Sequence, residues 1–178
     1  MNQLLSSKRR WTHCSWDTSD AAIDALCASC RQLRVAYGYL SMRAGLLSNI
    51  SVLENIWLPH AWRFGSKLEA IVTRLTLISS QVDPSDRSPA LMAVRNLKEW
   101  LNLRPAQLQN HQIEAAVVLR ACLGSPVVIV IDPAWSNWDD AITLLSDATW
   151  WMPVSDPPDP PGVDWIHVSL TDALRLEF

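Results

Sequence analysis

A C-x-x-C pair, Cys27 and Cys30, is the first group of residues whose types and spacing could do chemistry. This spacing is used by redox dithiols and by one half of many zinc sites. The chain has four cysteines, and its sequence holds no second C-x-x-C that could complete a zinc site. Apolar residues repeat at helical spacing through the pair, at Ile23, Leu26, Cys30 and Leu33. We therefore predict a buried helix face here, with no metal ion and no redox chemistry.

Asp132 is the second candidate, because it directly follows the wholly apolar run 127–131. A strand that is apolar on both faces is expected at the centre of a parallel sheet covered by helices. A carboxylate at the end of such a strand can hold a hydrated divalent cation. We therefore expect Asp132 at the carboxyl edge of a central strand.

The elements that would position these residues alternate between strands and helices. Strands are predicted at 11–17, 35–40, 127–131 and 163–169. Helices are predicted at 18–33, in a short segment that stops at Pro59, from 66 and from 88 in the middle third, at 109–123, at 138–151 and from 171. A proline-rich connection covers 155–162. This alternation favours an α/β fold with a helical insert.

Composition excludes several classes of function. The chain has 178 residues, of which 49% are hydrophobic, as expected of one globular domain. Its net charge of −3 gives no reason to expect a nucleic-acid partner. The apolar run 127–131 is far shorter than the ~20 residues of a membrane-spanning helix, and the order of charges at the N-terminus is wrong for a secretory signal, so a cytoplasmic protein is expected. The first of the five glycines is Gly38, which excludes a glycine-rich phosphate loop before it.

Three segments together resemble the nucleotide-binding subunit of ATP-binding-cassette (ABC) transporters. The first, YGYLSMRAGLLSNISVLENIWLP at 37–59, is similar to the Q-loop region of the family. The second, LRPAQLQNHQIEAAVVLRACLGSPVVIVID at 103–132, is similar to the signature helix and the Walker B strand. The third, HVSLTDALRL at 167–176, is similar to the strand and helix around the switch histidine, whose position falls near Leu170. We interpret His167 as structural.

The resemblance extends over about 11–178 and implies an architecture. It predicts an incomplete ABC-ATPase-like parallel sheet, related to the P-loop NTPases, as a single domain over 1–178 with a helical insert at 60–104. The wording of the first segment is closest to the lipid-transporting ATPases of the Mla and Mce type.

The resemblance also shows which ATP-handling residues this sequence lacks. The G-x-x-x-x-G-K-[ST] loop that surrounds the phosphates is absent from the sequence. Counting back from the Q-loop places that loop near the start of the chain, so we expect the central strand leading into it to be missing. The glutamine of the Q-loop, which helps to coordinate magnesium, aligns with Met42. A thioether cannot take over that role.

The signature and Walker B motifs are altered as well. The signature LSGGQ aligns with Leu108, Gln109, Asn110, His111 and Gln112. Side chains thus replace two glycines that allow close backbone approach to a partner's nucleotide. The Walker B aspartate is Asp132, but Pro133 stands where the family has the glutamate that polarises the attacking water. Ser136 and Asp139 keep the spacing of the D-loop.

A second surface is implied by the resemblance, the one on which the coupling helix of a permease rests. The candidate docking residues are Leu46, Leu47, Asn49, Val52, Leu53, Asn55 and Trp57. Tryptophan is a frequent interface hot spot. The alternative is that these side chains pack the insert internally, and we favour that alternative for Val52 and Leu53.

The resemblance implies a non-hydrolysing subunit without cofactor or metal, a pseudo-ATPase that is structural or regulatory in a membrane transport complex, in which lipid is a candidate substrate. Its partners would be a transporter permease or an active ABC ATPase subunit, in a homodimer or heterodimer peripheral to the cytoplasmic face of the inner membrane. Two alternatives stay open. In one, Asn110 and His111 contribute to a composite ATP site that a partner completes. In the other, the chain is a stand-alone interaction module unrelated to transport.

Overall fold

The computed structural model describes residues 11–13, 19–41, 45–61, 68–135, 140, 143–144, 149–152 and 165–167. The chain divides into two compact units. The sheet unit comprises Met1–Ser41, Ser125–Trp138 and Leu145–Phe178, and the helical unit comprises Met42–Gly124 and Asp139–Leu144.

The sheet unit is built on five parallel strands. They are β1 (Trp11–His13), β2 (Tyr37–Leu40), β3 (Val128–Ile131), β4 (Thr149–Met152) and β5 (Trp165–His167). Their order across the sheet is β2-β3-β4-β1-β5, and all four strand pairs are parallel. The carboxyl ends of β2 and β3 therefore lie side by side at one edge, with Leu40 opposite Ile131.

Helix α1 (Ser19–Gln32) packs on β3 in the sheet unit. Every residue of β3 is buried, as the apolar run predicts for a strand that has neighbours on both sides. One apolar face of α1 meets it, formed by Ile23, Leu26, Cys27 and Cys30, against Val128 and Val130. The predicted buried face is confirmed at Ile23, Leu26 and Cys30 but not at Leu33, which follows the end of the helix and is 45% exposed.

Two predictions about the sheet are wrong. The predicted helix at 138–151 does not extend to its end, because Thr149–Met152 form β4. Aromatic and β-branched side chains suit a pleated strand, and β4 pairs with β1 on one side and β3 on the other. The central strand expected to be missing is also present, since β1 pairs with both β4 and β5 and lies inside the sheet.

The helical unit is built around its longest helix. Its helices are α2 (Val52–Trp57), α3 (Leu68–Ser80), α4 (Pro89–Arg95) and α5 (Asn110–Leu123). Helix α5 packs against the other three and buries most of its residues from Ala115 to Leu123. Helix α3 buries Ile71, Leu75 and Ile78, whereas Leu68 at its start is exposed. Within the ranges given above, the helices are too short or too polar to serve as membrane spans.

Candidate functional site

The carboxylate of Asp132 is buried and bonded to the chain's own donors. The Ser41 hydroxyl at the end of β2 donates to Asp132 Oδ2 at 2.6 Å, and the Ala134 amide donates to Oδ1 at 3.0 Å. Both Ser41 and Asp132 are almost wholly shielded from solvent. Because each carboxylate oxygen accepts a hydrogen bond from the protein, Asp132 joins the ends of two neighbouring strands.

Pro133 follows Asp132 in a tight turn. The amide of Trp135 donates to the Asp132 carbonyl at 2.8 Å, which closes a four-residue turn with proline at its second position. Proline presets the backbone angle needed there, and aspartate at the first position accepts the amide two residues on. The turn ends at the buried side chain of Trp135. Pro133 thus has a structural role where the ABC family has its catalytic glutamate.

Tyr39 and Asp20 lie near this pair. Partial burial raises the pKa of the Tyr39 hydroxyl, hydrogen bonding with Ser41 opposes the increase, and the negative charges of Asp132 and Asp20 add to it. Asp20 belongs to the first turn of α1, the helix that follows β1. Acidic charge therefore collects at the carboxyl edge of the sheet. Sequence reasoning missed Ser41, which directly precedes Met42.

Three predicted site residues lie outside the described residues: Met42, Ser136 and Asp139. In the part of the chain that is described, no group of three His, Cys, Asp or Glu side chains is arranged to hold a metal ion.

The signature-like residues form the start of α5. Gln109 is the N-cap, and its amide donates to Gln112 Oε1 at 2.9 Å. Gln109 and Asn110 are exposed, whereas His111 and Gln112 are half-buried. A helix N-terminus carries partial positive charge and free amides. Here the side chain of Gln112 occupies the amide of the N-cap.

Asn55 organises the predicted docking region, which we call the docking segment and define as residues 45–60. Its Oδ1 accepts from the Leu47 amide at 2.6 Å. Its Nδ2 donates to the carbonyls of Leu47, Ser51 and, at a longer 3.5 Å, Ile50. The side chain is buried. Asn55 was predicted to face a partner, but the structure places it inside the segment as the group that shapes the turn before α2.

The other predicted docking residues divide into exposed and inward-facing groups. Leu47 is 50% exposed and Asn49 is also exposed, whereas Leu46, Leu53 and Trp57 are half-buried. Val52 is fully buried, in agreement with the alternative favoured for it. Leu58, which follows α2 and was not predicted, is 47% exposed. The segment therefore exposes two large apolar side chains, Leu47 and Leu58, and Trp57 precedes Leu58 in sequence.

The start of α2 is held by hydrogen bonds on both sides of its cap. Ser51 caps α2 by accepting the Glu54 amide at 3.2 Å, and Glu54 accepts the Ser51 amide in return. The Ser51 hydroxyl also donates to Glu54 Oε2 at 2.7 Å, and this hydrogen bond, together with the one from the Ser51 amide, lowers the pKa of Glu54. The next two amides, of Val52 and Leu53, donate to the carbonyls of Leu103 and Leu101 at 2.9 Å. These first-turn amides, which have no acceptor within the helix, thus bind the chain that leads to the signature-like residues.

The C-x-x-C thiols are buried in the sheet unit. Burial raises the pKa of Cys27 to about 12 and that of Cys30 to about 11. Burial also raises the pKa of Cys122 in the helical unit. The thiolate is the reactive and metal-binding form. Because burial disfavours it, we interpret these three cysteines as core residues without a redox or metal-binding role.

In a Cys14→Ser background, we expect Cys27, Cys30 and Cys122 to react with iodoacetamide at pH 8 at least about a hundredfold more slowly than a free thiol. The reason is that burial raises each thiol pKa and blocks access. Mass spectrometry of the labelled peptides measures the rates, and labelling in denaturant is the control in which all three react. Fast native labelling, or reversible loss of two thiols on oxidation, would contradict the structural interpretation.

Comparison with known proteins identifies the architecture. Over 92% of its length, the chain superposes on 83% of a dimeric bacterial ABC transporter cassette, MJ0796, with a TM-score of 0.54 at 13% identity. The fold is that of an ABC transporter cassette. The predicted α/β fold with its parallel sheet and helical insert is therefore confirmed. No protein-family model matches the sequence of this cassette-like chain, and no curated protein matches it.

Proposed function

We propose that this chain is a non-hydrolysing cassette-like subunit that acts structurally or as a regulator in a membrane transport complex. The observation that carries the proposal is the burial and hydrogen bonding of the Asp132 carboxylate. Its two carboxylate oxygens accept hydrogen bonds from Ser41 and Ala134, and the residue is almost wholly shielded from solvent, which disfavours binding of a hydrated metal ion. Without metal and general base, phosphoryl transfer loses most of its electrostatic stabilisation.

The start of α1 supports the same proposal. A phosphate loop connects a strand to the N-terminus of the next helix. Between β1 and α1 stand residues 14–18, CSWDT, a sequence without glycine or lysine. Asp20 then brings a negative charge to the first turn of α1. That charge opposes phosphate where the positive helix end would attract it.

The N-terminus of α5 favours this proposal over a composite ATP site. The signature glycines would present backbone amides to a nucleotide bound by a partner subunit. Here Gln112 already holds the amide of Gln109, and Asn110 and His111 add side chains at the glycine positions. We therefore place the composite site second.

The docking segment supports the part of the proposal that concerns partner binding. Leu47 and Leu58 are large apolar side chains that are about half exposed, on a segment whose turn is fixed by Asn55. Such a surface suits the apolar face of a helix. We propose a coupling helix of a permease as its partner, and a second copy or an active ATPase subunit as the dimer partner. In this proposal the chain is a pseudo-ATPase of an Mla- or Mce-like lipid transport complex, peripheral on the cytoplasmic side of the inner membrane.

The proposed function predicts two results. First, equilibrium dialysis with millimolar ATP and magnesium should detect no saturable binding, and a phosphate-release assay should detect no turnover. The reason is that the sequence has no phosphate loop and no glutamate after Asp132, whose own carboxylate is buried and hydrogen-bonded within the chain. An active ABC cassette in the same assay is the control. Second, affinity purification from detergent-solubilised membranes should recover a polytopic membrane protein with the chain.

Two matched variants test the affinity purification. Leu47→Asp changes the docking segment, and Leu77→Asp changes a leucine on α3 that is exposed to a similar extent. The first should abolish recovery of the membrane protein and the second should preserve it. Tight ATP binding would refute the loss of nucleotide handling, and equal recovery with both variants would refute the docking surface.

A further inference from the structure

The docking segment is fastened at its end by His60. The imidazole Nε2 lies 2.8 Å from the carbonyl oxygen of Arg120, in the last turns of α5. A carbonyl oxygen can only accept, so Nε2 carries the hydrogen and donates. One side chain therefore ties the exit of the segment to the C-terminal part of the longest helix in the unit.

Gly124 makes room for this imidazole. A Cβ at position 124 would lie 3.0 Å from His60 Cε1 and 3.2 Å from Nδ1. Its φ of −74° is open to any residue, and the left-handed angle after α5 belongs to Ser125 instead, at +47°. The usual reason for glycine at the end of a helix is that left-handed angle. Close approach of the His60 ring is thus the local feature that favours glycine at this position.

The same helix holds the segment at its start. The Arg120 guanidinium donates to the Gly45 carbonyl over a longer 3.4 Å. Arg120 therefore bonds the first residue of the segment through its side chain and the last through its backbone. Between these points, Val52 and Leu53 donate to the carbonyls of Leu103 and Leu101.

We propose that Arg120, His60 and Gly124 form a clasp that closes the docking segment onto α5 before any partner is bound. The surface carried by Leu47 and Leu58 is then preformed, and a partner does not have to order it. Preorganisation of this kind raises affinity, because binding no longer carries the entropy cost of ordering the segment. The clasp exists in the free chain, and only its effect on partner binding rests on the proposed function.

Hydrogen exchange followed by mass spectrometry on the full chain tests the clasp. In His60→Ala, the amides of 45–58 should exchange about tenfold or more faster than in the wild type, while those of β2 and β3 stay unchanged. His60→Gln should restore much of the protection, because its amide can donate to the Arg120 carbonyl.

Gly124→Ala should also speed exchange in 45–58, because its methyl group displaces the His60 ring. Gly45→Ala is the matched control, since an added Cβ there meets nothing within 4 Å. The double variant His60→Ala/Gly124→Ala should exchange no faster than His60→Ala alone, because the ring that clashes is gone. Unchanged exchange in His60→Ala, or equal exchange in the two glycine variants, would overturn the clasp. Either result leaves the ATP-binding and co-purification tests standing, so the two proposals fail separately.

Discussion

Asp132→Ala is expected to lower the free energy of unfolding by about 3 kcal/mol, because it leaves the buried Ser41 hydroxyl and the Ala134 amide without their acceptor. Ser41→Ala should lower it by about 1–2 kcal/mol, since one donor is lost while the second carboxylate oxygen stays bonded. Urea denaturation followed by tryptophan fluorescence measures both. The double variant should lose less free energy of unfolding than the sum of the two single-variant losses, because the two residues share one hydrogen bond.

Magnesium distinguishes this structural role from metal binding. A metal held by Asp132 in the native state would stabilise the wild type by mass action. We expect the same Tm in excess magnesium and in EDTA, because the carboxylate already has protein donors. Restoring the family's glutamate in Pro133→Glu should give no ATPase activity. A magnesium-dependent increase in Tm, lost in Asp132→Ala, would contradict the assignment.

Asn55→Asp is expected to lower the free energy of unfolding by about 3 kcal/mol or more. The substitution keeps the shape but replaces a donor by an oxygen that faces the carbonyls of Leu47 and Ser51. It also buries a charge that lacks a compensating cation among the hydrogen-bond partners described for Asn55. Asn55→Ala should lower the free energy by about 2 kcal/mol, because the Leu47 amide loses its 2.6 Å acceptor.

Asn49 gives the matched control, because it is an asparagine of the same segment but is exposed. Asn49→Asp should change the free energy of unfolding by less than about 0.5 kcal/mol. Chemical denaturation of the wild type and the three variants measures the differences. Equal effects at positions 49 and 55 would show that the turn does not depend on the buried amide.

Local sequence signals predicted most helices and the interior strand β3 correctly. Ser88 followed by Pro89 marks the start of α4, and the apolar run ending at Ile131 marks β3. These signals work because capping, the φ of proline and burial on both faces act within a few residues. The strand Thr149–Met152 was missed because its neighbours, β1 and β3, are far away in the chain.

The candidate site was only partly predictable for the same reason. Asp132 could be located from the strand before it, but its partner Ser41 lies 91 residues away. Asn55 was recognised as part of the docking segment, yet the sequence does not show that its amide turns inward. The sequence also does not show why Gly124 ends α5, because the ring that lies against it comes from His60, far away in the chain.

The position of β1 within the sheet has a consequence for biosynthesis. Trp11 pairs with Trp150 and with Trp165, so both neighbours of this strand come from the far end of the chain. While the ribosome is still translating, β1 has no strand to join, and its docking must later close a loop of about 140 residues. Until then two unpaired strand edges are available to other nascent chains, which makes the polypeptide a natural client for chaperones that shield such edges.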